Sequence, residues 1–109
     1  VNLLVEAGKR GVRVEVLLES STSRNITEAN QKAGEYLKKH GISVRYFPVF
    51  PIMHVKMVIV DGETAIIGSH NWTLASTKSN VESSVLIKSK LMAQKCGKYF
   101  RDNFLQAKP

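Results

Sequence analysis

The sequence predicts an α+β domain in which a mixed β-sheet is flanked by helices. Two observations support this class: strand-like and helix-like segments alternate in the first half of the chain, and a tight turn joins two strand-like segments in the second half. With 109 residues, 43% of them hydrophobic, the chain has the size of one domain. We therefore expect residues 1–109 to form a single domain. Because its opening segment is already helix-like, we expect it to lack its N-terminal part.

The first half of the chain alternates between helical and extended patterns. Residues 1–10 have the pattern of the end of an amphipathic helix. Residues 12–18 alternate and then become continuously apolar, which is typical of a strand that enters a sheet interior. After a polar stretch, Thr27 is expected to cap a helix over residues 27–41. Residues 42–47 then alternate as a short strand.

The second half is organised around a hairpin. Residues 54–60 form an apolar strand, Asp61 and Gly62 give a strong hairpin signal, and residues 64–67 form the return strand. Further along, we expect a loop at 68–80, a strand at 81–87 and a final helix at 91–104. The parallel and antiparallel connections implied by the two halves together predict the mixed sheet.

Two basic side chains stand in the first strand of this hairpin. His54 and Lys56 are two residues apart, so their side chains should emerge on the same face of the strand. An imidazole and an ammonium in an otherwise apolar strand are costly to bury unless another group satisfies them. A phosphate group would satisfy both.

A small polar segment follows the return strand. Gly68 allows close approach of the backbone, and Ser69 and Asn71 offer short hydrogen-bonding side chains. With six residues between Asp61 and Gly68, the hairpin should bring this segment beside His54. We therefore expect imidazole, ammonium, hydroxyl and amide groups to converge on one spot.

These residues resemble a known family. Residues 54–61, His-Val-Lys-Met-Val-Ile-Val-Asp, are similar to the HxKxxxxD signature of the phospholipase D superfamily, and residues 68–71, Gly-Ser-His-Asn, match the GSxN segment that accompanies it. Residues 7–18 resemble the helix and strand that precede the site in that family, and residues 80–82 resemble a segment downstream. The resemblance covers essentially the whole chain and implies the phospholipase D/nuclease fold.

The resemblance also implies catalytic roles. His54 would be the nucleophile that attacks phosphorus and forms a phosphohistidine. Lys56 and Asn71 would hold the phosphoryl oxygens, and Ser69 would support the loop or bind phosphate. Glu82 matches the carboxylate that orients the nucleophilic ring and raises its basicity. The family's mechanism uses no metal, so we expect neither a metal nor another cofactor.

Four further residues have expected roles that the resemblance alone does not assign. Asp61 completes the signature and so joins the candidate catalytic set, but we expect it to organise the turn rather than touch substrate. His70 occupies the variable position of GSxN and is a candidate for substrate contact. His40 follows two lysines at a helix end, where a capping role is favoured. We expect Trp72 to pack as a loop anchor rather than to stack on a base.

The number of histidines predicts a partner. The mechanism implied by the resemblance needs two motif histidines, one as nucleophile and one to protonate the leaving oxygen. The chain has three histidines, and His54 alone stands in an HxK context. We therefore expect a homodimer in which each chain contributes one His-Lys pair to a shared active site, as in the single-motif nucleases of the superfamily.

Charge narrows the substrate class. The formal net charge of +7 favours polyanions such as nucleic acid or an anionic lipid surface. Our leading hypothesis is a metal-independent phosphodiesterase, an endonuclease that hydrolyses DNA or RNA. One alternative is a lipid phosphodiesterase of the phospholipase D or cardiolipin type, or a phosphatidyltransferase, acting on a membrane lipid. Another is a nucleic-acid-binding module that keeps the fold without catalysis.

The sequence gives less information on location. No apolar run approaches the ~20 residues that a membrane-spanning helix needs, so we expect the domain as given to be soluble. A signal or anchor upstream of Val1 would not be visible, which leaves the compartment open. Cys96 is the single cysteine, so one chain cannot form an internal disulfide or a cysteine-based zinc site.

Overall fold

The computed structural model describes residues 1–109 with the exception of the Leu74 side chain. The elements in chain order are α1 Asn2–Lys9, β1 Glu15–Glu19, α2 Arg24–Lys39, β2 Ser43–Phe47, β3 Met57–Val60, β4 Thr64–Gly68, α3 Leu74–Lys78, β5 Ser84–Lys88 and α4 Lys90–Gln106. The α+β class with helices flanking the strands is confirmed. The chain divides into two compact units, one of residues 1–53 with 103–109 and one of residues 54–102.

The first unit contains the parallel strand pair β1 and β2, in register from Glu15 opposite Ser43 to Glu19 opposite Phe47. Parallel neighbours need a long crossover connection, and α2 supplies it and packs against both strands. Arg45 on β2 donates a hydrogen bond from Nη1 to the Phe104 carbonyl oxygen at 3.0 Å. This bond ties the end of α4 to β2 within the same unit.

The core of the first unit joins α1, α2 and the start of β2. Val5, Leu37, Ile42 and Val44 form a buried cluster, and Leu37 is 1% exposed. The partly buried hydrophobic residues that pack against this cluster are Val14, Val16, Leu18 and Tyr46. The first helix was predicted to be amphipathic, and it contributes its one buried residue, Val5, to this core.

The second unit contains the antiparallel strands β3, β4 and β5 in that order. Met57 pairs with Ile67 and Val60 with Thr64, as expected for the predicted hairpin. At its turn Asp61 has φ 53° and Gly62 has φ 66°. Two consecutive residues in the left-handed region are typical of a type I′ turn, whose twist matches that of the flanking strands. The hairpin prediction is confirmed.

Two predictions were wrong in the helical regions. The helix expected from Thr27 begins at Arg24 with Ser23 at its N-cap, and the Thr27 hydroxyl donates to the Ser21 carbonyl oxygen at 2.7 Å. Several N-cap residue types precede this helix, so composition alone did not identify the cap. The loop expected at 68–80 contains α3, which Thr73 caps by accepting a hydrogen bond from the Ser76 backbone NH.

The strands also differ from the prediction in extent. The first and last predicted strands begin three residues later than expected, and β3 starts at Met57 instead of residue 54. The register that pairs Met57 with Ile67 would place His54 opposite His70, where the chain has already left β4. The parallel and antiparallel pairs, expected in one mixed sheet, are hydrogen-bonded in two separate sheets. Within the described residues, every helix is too short or too polar to cross a bilayer.

Candidate functional site

The second unit has a pocket of about 190 Å³ at the end of β4. Its lining residues are Lys56, Ile66, Gly68, His70, Asn71, Trp72, Thr77 and Ser84. The structure therefore brings together three residues that the sequence marked as candidates for binding phosphate or substrate, namely Lys56, His70 and Asn71. The other candidates lie outside this lining and are described in turn.

His54 lies in the segment that leads into β3, and it is exposed. Its carbonyl oxygen accepts a hydrogen bond from Lys56 Nζ at 2.9 Å. The Gly68 backbone NH donates to the Lys56 carbonyl oxygen at 3.3 Å, which connects this segment to the end of β4. In the described part of the chain, no hydrogen bond involves the His54 ring. The imidazole is thus open to a partner or a substrate.

Ser69 and Glu82 form a hydrogen-bonded pair beside the pocket. The Ser69 hydroxyl donates to Glu82 Oε2 at 2.5 Å, and Asn80 Nδ2 donates to Glu82 Oε1 at 3.1 Å. These hydrogen bonds, from Ser69 first and then from Asn80, lower the pKa of Glu82 because they favour the ionised carboxylate. The expected contact between Glu82 and the His54 ring stays a prediction.

The backbone around Ser69 is fixed against β5. The Ser69 backbone NH donates to the Ser83 carbonyl oxygen at 2.9 Å, and the Ser83 backbone NH donates to the Ser69 hydroxyl oxygen at 3.0 Å. Together with the bond to Glu82, these contacts make Ser69 a support of the loop. Loop support was one of the two roles expected for this residue.

The histidines outside the motif have different surroundings. His70 is half-buried, and its Nδ1 lies 2.7 Å from the Ser84 hydroxyl oxygen. His40 is the C-cap of α2, and its Nδ1 donates to the Tyr36 carbonyl oxygen at 2.8 Å. The capping role predicted for His40 is confirmed. His70 is the histidine that the fold places in the pocket lining.

Asp61 lies where the sequence predicted, and Trp72 does not. Asp61 lies in the turn, separated from the pocket by the length of β4, roughly 15 Å for a strand of this length. The turn position was expected. Trp72 was expected to pack as an anchor, and this was wrong: its side chain is 70% exposed, next to the N-cap Thr73. Exposure depends on tertiary packing, and no local pattern signalled it.

Among the residues whose positions are described, no group of three or more His, Cys, Asp and Glu side chains is arranged to hold a metal ion.

Comparison with known proteins identifies the class. A family model described as "Cardiolipin synthase, PLD-like domain" matches residues 1–104. The chain is 36% identical over 91 residues to a phospholipase D of Rickettsia typhi, covering 84% of this chain and 43% of that protein. It is 39% identical over 79 residues to the mitochondrial cardiolipin hydrolase of Danio rerio, covering 72% of this chain and 33% of that protein.

A solved structure agrees with these relatives. The crystal structure of Nuc from Salmonella typhimurium, a phospholipase D family member, superposes with a TM-score of 0.86 at 34% identity and covers 98% of this chain and 70% of that one. The chain belongs to the phospholipase D superfamily, as the motifs in residues 54–61 and 68–71 indicated. It spans less than half the length of the curated relatives it matches.

Proposed function

We propose that this chain is a metal-independent endonuclease, which hydrolyses phosphodiester bonds of DNA or RNA through a phosphohistidine at a site shared by two copies of the chain. The observation that carries the proposal is the convergence of Lys56 and Asn71 on one pocket, directly beside the segment that bears His54. They are the residue types that the resemblance of residues 54–61 and 68–71 to the superfamily's motifs implies.

The proposed reaction has two steps. The His54 imidazole attacks phosphorus, a P–N bond forms, and the bond from phosphorus to the leaving oxygen breaks as that oxygen takes a proton from His54 of the second copy. A water molecule then attacks phosphorus, gives its proton to the second imidazole, and breaks the P–N bond to restore the first. Lys56 and Asn71 donate to the phosphoryl oxygens, where negative charge develops.

Glu82 and Ser69 have supporting roles in this scheme. Glu82 carries a negative charge beside the pocket at neutral pH, and its lowered pKa extends that charge to lower pH. A carboxylate at that place can orient an imidazolium and stabilise it, which is the role proposed for Glu82 toward a motif histidine. Ser69 fixes that carboxylate and the loop that presents Asn71. Asp61 contributes through the hairpin turn.

The strongly basic chain supports a polyanionic substrate, which nucleic acid and an anionic phospholipid surface both provide. A net charge of +7 on 109 residues attracts a polyphosphate backbone. The relatives named phospholipase D and mitochondrial cardiolipin hydrolase support a second candidate, a lipid phosphodiesterase that acts on an anionic phospholipid. The same two-histidine chemistry would serve either substrate, so the substrate must be decided by assay.

The test uses His54→Asn with His40→Asn as its matched control. Single-stranded DNA, duplex DNA, RNA and anionic phospholipid vesicles are each incubated with the purified protein in EDTA. We expect the wild type and the His40 variant to cleave nucleic acid and the His54 variant to be inactive while folding and dimerising normally. Undiminished hydrolysis by the His54 variant would refute the assignment, and salt-sensitive binding without any product would favour a binding module instead.

A further inference from the structure

Trp72 exposes a large apolar side chain to solvent, which is unfavourable unless another molecule covers it. Its side chain is 70% accessible to solvent, although an indole is one of the largest apolar groups a protein can bury. It nonetheless lines the pocket together with Lys56, His70 and Asn71. An exposed indole beside a cluster of hydrogen-bond donors has the composition of a ligand subsite rather than of a packing anchor.

The backbone on both sides of Trp72 is fixed. On one side, the Ser69 backbone is hydrogen-bonded to Ser83. On the other side, Thr73 caps α3 by accepting from the Ser76 backbone NH at 3.3 Å, and Ser76 is buried. The indole is therefore presented from a short, anchored stretch that also carries Asn71. A rigid aromatic group binds a flat partner with little loss of conformational freedom.

Resting on the proposed nuclease function, we propose that Trp72 is a stacking platform for a nucleobase that flanks the scissile phosphate, with His70 beside it, and that the substrate is a single-stranded nucleic acid. Lys56 and Asn71 would hold the phosphate, while the indole takes the base that follows or precedes it. Stacking needs an unpaired base with a free π-face, which a single strand offers and a continuous duplex does not.

A nucleotide matches the mixed lining of this pocket. Ile66 and Trp72 are its large apolar lining residues, whereas Lys56, His70 and Asn71 offer polar groups. A nucleotide supplies both a phosphate for the donors and an aromatic face for the indole.

The chain contains one tryptophan, so its fluorescence reports on this position alone. We use the His54→Asn protein, to prevent cleavage, and titrate it with a single-stranded oligonucleotide and with an abasic oligonucleotide of the same length and charge. Stacking predicts strong quenching by the first and little by the second, although both bind in low salt. Equal quenching by the two would overturn the proposal.

Two other occupants of this surface predict different spectra. If a second copy of the chain covered Trp72, emission would already be blue-shifted in the free dimer and would not respond to oligonucleotide. If the surface met a membrane, anionic phospholipid vesicles would shift the emission to the blue and oligonucleotides would not. Either result would overturn the stacking proposal.

Kinetics on single-stranded substrate give a second test. The Trp72→Ala variant of the otherwise wild-type chain should lose about 5- to 150-fold in kcat/KM, the effect of losing one stacked base. The Trp72→Phe variant should lose less, because it keeps an aromatic face. The control is Leu105→Ala, which removes an apolar side chain of similar exposure (72%) on α4 and should not change the rate.

The result also separates the two proposals. Base-dependent quenching together with an inactive wild type would refute the nuclease function and leave the stacking site. Cleavage of single strands that is unchanged by Trp72→Ala, with no base-dependent quenching, would refute the stacking site and leave the nuclease function.

Discussion

A methyl group added at Gly68 should damage both the sheet and the loop that carries the site. Gly68 ends β4 opposite Ser84 on β5. A Cβ there would collide with the Ser84 hydroxyl oxygen and the Ser83 carbonyl oxygen, and would lie 2.5 Å from Ser84 Cα. The hydroxyl could rotate away, but the two backbone atoms cannot move without opening the β4–β5 ladder. We therefore expect Gly68→Ala to cost about 3 kcal/mol, the upper end for overpacking.

The matched control is Gly8→Ala in α1. A Cβ at Gly8 would meet the Ile42 side chain at 3.8 Å, an ordinary contact, and alanine is favoured in helices, so this variant should gain roughly 0.5 kcal/mol. Urea unfolding measures both changes, and hydrogen exchange of the Ser69 amide, bonded to Ser83, reports the local effect. Wild-type stability and unchanged Ser69 protection in Gly68→Ala would refute the reasoning.

Three further predictions concern the pair at Glu82, the turn and the core. The Ser69→Ala variant should raise the pKa of Glu82, because the serine hydrogen bond is the main cause of its lowering. NMR titration of the Glu82 carboxylate measures the pKa, and an unchanged pKa would contradict the prediction. Because the folded pKa is lowered, the carboxylate stabilises the fold above its ordinary pKa, and this contribution is lost as pH falls through the lowered value. Asp61→Val should cost about 1–2 kcal/mol in urea unfolding, since φ is 53° there, whereas Asp61→Asn should be tolerated. Leu37→Ala should cost about 2–5 kcal/mol, because Leu37 is buried, while Leu105→Ala should change stability by less than about 0.5 kcal/mol; equal effects would contradict the assigned core.

Local chemistry explains which parts of the fold the sequence predicted. The hairpin turn at Asp61 and Gly62 was predicted because few residue pairs adopt two left-handed conformations in succession. The strand at 43–47 and the final helix were recognised from their hydrophobic periodicity. His40 was assigned correctly as a cap because the charge and place of the residue suffice for that inference.

The errors occurred where distant parts of the chain decide the outcome. The start of β3 depends on how far β4 extends, since His54 has no paired strand opposite it. A helix of five residues such as α3 is too short to show a period. Whether Trp72 is buried depends on which elements reach it, so the packing expected from its residue type was wrong.

The same contrast between local and distant determinants applies to the candidate site. Lys56, His70 and Asn71 meet in the pocket because the hairpin brings the two motifs together. The short spacing between the motifs in the sequence was enough to predict this. The bond between Ser69 and Glu82 was not foreseen. It joins residues 13 positions apart, through a β4–β5 register that no local motif specifies.

The central claim is that each active site needs His54 from two copies of the chain. Wild-type protein is co-refolded with increasing fractions of His54→Asn protein, and nuclease activity is measured per wild-type chain. If both histidines are required, mixed dimers are inactive. In an equal mixture with random pairing, the nuclease activity per wild-type chain should then fall to about one half of its value in the unmixed wild type. Specific activity that stays constant at every mixing ratio would show that one copy of His54 is sufficient, and would contradict the account.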